Sequence, residues 1–162
     1  MAKEIKRNNW SRFCKRFSSA NQYRRTTLQT RGSADKGSVS VEPFMGVALS
    51  KKGRLIDGIQ FFSGNYNPDK VVEPVMTIHD PEKIFLDKDD KGRDRNLNIK
   101  LKDGTEVTLE ISGEPEPDRP KYLTEKIAYS MFENRGYKIG HDLGDWLDAE
   151  NRVKQAESSL AE

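Results

Sequence analysis

In this 162-residue chain, two histidines and one cysteine are the only imidazole and thiol side chains available for acid–base, nucleophilic or metal chemistry. His79 precedes Asp80-Pro81, an order in which a carboxylate can orient an imidazole as a general base. A base needs a nucleophile within reach, and no Gly-x-Ser-x-Gly elbow supplies one. His141 stands with Asp142 and Asp145, a trio that could ligate a metal. The two carboxylates are better explained by the first turn of a helix, where unpaired backbone N–H groups and the helix dipole favour negative charge. Asp87-Lys88-Asp89-Asp90-Lys91-Gly92 opens like a calcium loop, yet Lys91 occupies the fifth position and Asn98 the twelfth, where a bidentate Glu is wanted. No Walker or dinucleotide glycine loop is present, and Cys14 has no second cysteine for a disulfide or a Cys-rich zinc site. The expectation is a non-enzyme with no catalytic residue, no metal ligand and no cofactor.

Charge carries more information than these motifs. The 28 Lys and Arg nearly balance the 26 Asp and Glu, for a formal charge of +2. Residues 1–54 hold 13 basic and 3 acidic side chains, residues 55–112 hold 8 and 12, and residues 113–162 hold 7 and 11. A basic head therefore joins an acidic body. Lys6, Arg7, Arg12, Lys15, Arg16, Arg24 and Arg25 are the candidate contacts for phosphate, nucleic acid or an acidic partner, with Tyr23 placed to stack a base. The head of one copy could also meet the body of another, a contact that salt would weaken.

The elements that must position these groups follow from periodicity. Trp10, Phe13, Cys14 and Phe17 fall on one stripe of a helix, with Asn8 or Asn9 as its cap and most of the basic residues off the stripe. The bland reading of that helix is a lid whose aromatics plug a sheet while its cations face solvent; the sharper one is a surface for nucleic acid or an anionic membrane. From Gln22 the period becomes two. Strands are expected over 24–30, 38–49, 55–62, 71–79 and 84–86, with 63–68 as a loop. Leu97, Ile99 and Leu101, then Asp103-Gly104, then Val107, Leu109 and Ile111 read as a β-hairpin. Residues 113–120 carry three prolines and read as a linker. Thr124 can cap a helix through Ile127, Met131 and Phe132 that ends at Gly136, and Asp142 starts a second helix with Leu143, Trp146 and Leu147. Leu, Ile, Val and Phe number only 35, so the core is lean. No apolar run is long enough to span a bilayer, and the expected setting is the cytoplasm.

Ile127-Ala128-Tyr129, Phe132-Glu133, Arg135-Gly136, Gly140-His141-Asp142-Leu143, Asp145-Trp146-Leu147 and Ala149-Glu150 resemble a small bacterial domain of unknown function, family 2934, over about residues 121 to 157, apart from Gly144 inside the second helix. Trp10, Phe13, Phe17, Ile78 to Pro81 and Asp103-Gly104 resemble, more loosely, another bacterial domain of unknown function, family 5335. The first resemblance implies a helical hairpin, and neither implies an activity.

The reading is an α+β protein. An N-terminal helix covers a small, mostly antiparallel sheet or partly closed barrel of five to seven strands over 1–112, a linker spans 113–120, and a helical hairpin occupies 121–162. Its expected function is non-enzymatic protein interaction or assembly, with self-association into a homo-oligomer. The hairpin, through Phe132, Leu143, Trp146 and Leu147, would pack in cis or on the sheet of another subunit. The alternative is RNA or DNA binding through the basic helix and first strand; a third reading is a hydrolase using His79 with Asp80, which requires a concave site at that strand end.

Overall fold

The computed structural model describes residues 2–32, 36–112 and 118–161, and within them the fold is α+β. The elements run β1 (Lys3–Ile5), α1 (Trp10–Asn21), β2 (Arg25–Arg31), β3 (Lys36–Val41), β4 (Phe44–Lys52), β5 (Leu55–Asn67), β6 (Lys70–His79), β7 (Pro81–Lys88), β8 (Asp94–Leu101), β9 (Glu106–Ser112), α2 (Arg119–Asn134) and α3 (Asp142–Leu160). A short 3-10 turn, Arg7–Asn9, leads into α1.

The strands form two open antiparallel sheets, ordered β1-β7-β8-β9-β2-β3 and β4-β5-β6. The chain crosses between them at tight corners. Asp80, with φ of 54°, turns β6 into β7, and its N–H and C=O bond to Asp57 O and from Lys102 N–H. A cis Glu42-Pro43 bond lies between β3 and β4. That corner splits the single strand expected over 38–49 into two strands belonging to different sheets. The expected loop over 63–68 is largely strand, because β5 continues to Asn67 past register shifts at Phe62 and after Gly64. The Asp103-Gly104 turn forms as expected: Gly104 has φ of 90° and the Asp103 carboxylate accepts the Thr105 N–H.

The inward sides of both sheets enclose one core with α1. Trp10, Cys14 and Phe17 of the helix meet Leu28, Ile84, Leu97, Ile99 and Leu109 of the larger sheet and Phe44, Val47, Ile59 and Phe61 of the smaller. The aromatic lid reading of this helix is what the structure contains, and Trp10 and Phe17 are 1% and 2% exposed. Asn9 takes the cap position without a side-chain capping bond.

A second core lies on the other side of the smaller sheet. Met45 and Val71 look outward there and are covered by Leu123, Ile127 and Met131 of α2 and Ala149, Val153 and Leu160 of α3. The helical hairpin therefore packs in cis, onto its own sheet. Helix α2 begins at Arg119, inside the expected linker; Thr124 is not its cap but lies within it, its hydroxyl donating to Pro120 O. The remainder of that linker, 113–117, lies outside the described residues. No helix is long and apolar enough to cross a membrane among the described residues.

Candidate functional site

Two kinds of surface are brought together that the sequence lists only as residue types. The first is the basic face of α1 and its surroundings. Lys6, Arg12, Lys15 and Arg16 are exposed. The other three cations have structural duties. Arg7 lies over the Trp10 ring, 4.6 Å from its centroid, and Nη1 donates to Pro81 O. Arg25 pairs with Glu42 at 3.3 Å. Arg24 is 6% exposed, and its Nη1 donates to Asn21 Oδ1 and Asp94 O. The seven cations thus do not form one array; Arg16 and Arg24 line a common cavity, between α1 and β7–β8.

The second surface is the far end of the helical hairpin. Each helix has two apolar stripes. On α3, Asp145, Ala149 and Val153 face inward at intervals of four. Leu143 and Leu147 lie two positions from Asp145, turned about 200° away around the helix, and are 73% and 56% exposed. On α2, Leu123, Ile127 and Met131 are buried while Tyr129, two positions from Ile127, is exposed. The connection adds Tyr137 and Ile139, the latter 84% exposed. Rings of Tyr129, Phe132 and Tyr137 contact in series, the first pair tilted at 6.0 Å between centroids and the second edge-to-face at 5.2 Å.

The geometry of this end is fixed locally. The α2 terminus closes by Gly136 N–H to Glu133 O and Tyr137 N–H to Phe132 O, with both residues at positive φ. Asp142 and Asp145 occupy the first turn of α3, as expected, but the buried Asp145 carboxylate is engaged by Arg135 Nη2 across the connection. Of the residues expected to form an interaction surface, Leu143 and Leu147 are exposed while Phe132 and Trp146 are half-buried. Tyr137 and Ile139 were not among them; their only signal is two large apolar residues between Gly136 and Gly140. Between residues 129 and 150 there are five carboxylates and two cations, so this stretch of the chain carries net negative charge even though Asp145 is buried and paired with Arg135.

The remaining candidates are isolated. His79 is exposed at the end of β6, and His141 is exposed at the cap position of α3 without a capping bond. The Asp89 carboxylate accepts N–H bonds from Lys91 and Arg93 and pairs with the Arg93 side chain, so its own turn engages both oxygens. Those contacts, the Arg93 N–H first, hold Asp89 below the usual carboxylate range. No group of three or more His, Cys, Asp or Glu placed to hold a metal occurs among the described residues. No family model, no curated protein and no solved structure matches the chain.

Proposed function

We propose that this is a non-enzymatic assembly protein whose copies join head to tail, the hairpin end of one on the basic α1 surface of the next. The observation that carries the reading is the exposed apolar end of the hairpin, Tyr129, Tyr137, Ile139, Leu143 and Leu147, set among carboxylates. Clustered exposed apolar side chains mark contact surfaces. Charge argues for the occupant: Lys6, Arg12, Lys15 and Arg16 are exposed on α1 and its lead-in, a complement to the carboxylates of the hairpin stretch.

Distance favours a contact between molecules over one within a chain. Helix α3 meets the α1 end of its own chain near its C-terminus, where Gln22 Nε2 donates to Glu157 O. Leu143 lies 14 residues earlier on the same helix, roughly 21 Å away along the axis. A rigid helix anchored at Ala149, Val153 and Leu160 cannot fold that end back onto α1. A contact between two different patches repeats into a ring or an open chain.

Mass photometry and light scattering across micromolar concentrations test this directly. Oligomers at about 50 mM salt that dissociate at about 500 mM, and that are lost in Leu143→Glu with Leu147→Glu, are the expected result. A monomer under every condition overturns the reading. If that monomer binds RNA or DNA in a filter assay with an affinity that falls steeply with salt, the basic helix serves nucleic acid instead.

A further inference from the structure

The concave space between α1, β1, β7 and the start of β8 combines an apolar floor with a cationic rim. It is a cavity of about 560 Å³, partly open to solvent, within the roughly 300–1,000 Å³ usual for small-molecule sites. Its floor is Ile5, Phe13, Phe17 and Leu86; Phe13 and Phe17 lie 5.6 Å apart between ring centroids. Lys3, Arg16, Lys88 and Arg93 surround it, and Arg24 forms part of the back wall. Asp94 is the one carboxylate lining it, and that group is engaged: Oδ2 accepts from Asn21 Nδ2 at 2.8 Å.

We propose that this cavity binds a small amphiphilic carboxylate, its aliphatic body on the Phe13–Leu86 floor and its head among Arg16, Lys88 and Arg93. Two features decide the ligand class. An excess of positive charge over an apolar floor suits a molecule with one anionic end and one apolar end, because each half loses water against a matching surface. The Asn21 amide of the back wall is already engaged within the protein: it donates to Phe17 O and Asp94 Oδ2 and accepts from Arg24 Nη1, which uses both its N–H groups and its oxygen. A nucleobase laid on the Phe13–Leu86 floor would bury polar edges against apolar side chains, a cost an aliphatic chain does not incur. Arg24 is held below its ordinary value by burial and next by the charge of Arg93, with Asp94 and Asp89, the latter paired to Arg93, opposing the shift.

The site shares Arg16 with the α1 surface of the proposed head-to-tail assembly but does not rest on that assembly, and it is tested on the full chain, at the roughly 500 mM salt that dissociates oligomers, by calorimetry with decanoate. Decanoate is expected to bind one per chain, and decanol and acetate at least about tenfold more weakly, since each lacks one half of the match. Arg16→Glu and Lys88→Glu, both at exposed positions, are expected to weaken decanoate by about tenfold each while the circular dichroism spectrum is retained. Decanol binding as tightly as decanoate, adenosine monophosphate displacing decanoate at lower concentration, or no heat with decanoate up to millimolar concentration would each overturn the proposal. The comparison of ligands depends on no variant, so it stands even if a substitution disturbs folding.

Discussion

Arg135, at the C-cap of α2, donates its Nη2 to the Asp145 carboxylate in the first turn of α3, and Asp145 is 6% exposed while Arg135 is about one-third exposed. One ion pair thus spans the connection between two helices and sets how Tyr137 and Ile139 are presented. Arg135→Ala leaves the carboxylate buried without its cation. The expected outcome is a lower melting temperature together with weaker self-association, followed by scanning calorimetry and mass photometry; the Arg135→Lys variant recovers the charge without the planar fork and recovers association only in part.

Ile139 makes the opposite prediction for stability. At 84% exposure it contributes little to the folded state, so Ile139→Asp should change unfolding free energy by less than about 0.5 kcal/mol in urea. If the hairpin end is the contact surface, the same substitution weakens oligomers markedly at low salt. Unchanged oligomers would remove Ile139 from the interface.

Helix α1 and strand β4 are joined by one hydroxyl. The Val47 N–H donates to Ser18 Oγ at 2.9 Å, and that hydroxyl donates to Cys14 O at 2.7 Å. Strand β4 is an edge of its sheet, so this N–H has no strand partner on that side. Ser18→Ala should cost about 1–3 kcal/mol by leaving a buried donor unsatisfied. Gly46 sits beside it, where an added Cβ would stand 2.8 Å from Ser18 Oγ and 2.9 Å from Leu160 Cβ. Gly46→Ala should destabilise by a similar amount, about 1–3 kcal/mol, because helix and strand must separate to admit a methyl.

Cys14 gives a pH prediction. Burial pushes its thiol up to about 12, whereas in the unfolded chain it ionises near about 8.5. The contribution of the neutral buried thiol is therefore fully present below about pH 8.5 and is lost as pH rises toward 12. Urea unfolding from pH 8 upward should show stability falling with pH, by at most about 1.4 kcal/mol per pH unit from this group. Tyr23, whose phenol is raised by burial and by Glu157, adds loss of the same sign at higher pH. Cys14→Ala should flatten the slope between pH 9 and 11. At pH 8 the thiol should react with a disulfide reagent only when the protein unfolds.

Much of the fold is legible in local pattern. The 3.6-residue stripe of Trp10, Cys14 and Phe17 and the alternation around Asp103-Gly104 each bury one side of one element, and a one-sided pattern can be read without knowing what covers it. The corners were not legible, because whether the chain at Glu42-Pro43 or Asp80 continues a sheet or leaves it depends on the second sheet. The candidate surfaces were partly legible. Leu143 and Leu147 were identified by type, but which apolar stripe of α3 docks is decided by its partners: Ala149 and Val153 fit against α2 and the smaller sheet, and the helix is turned so that the leucines face out.

By itself, then, the sequence determined the class of elements, the β-hairpin, the helical hairpin and the division into a basic head and an acidic body, since each rests on neighbours in the chain. Tertiary structure decided that the helical hairpin covers its own sheet, that Arg24 is withdrawn to the back of a cavity with Arg16 and Arg93 nearby, and that Tyr129, Tyr137 and Ile139 stay at the surface. The reason is physical: burial belongs to pairs of elements, and residues as distant as Arg16 and Arg93 share a site only after two sheets and a helix have closed on one core.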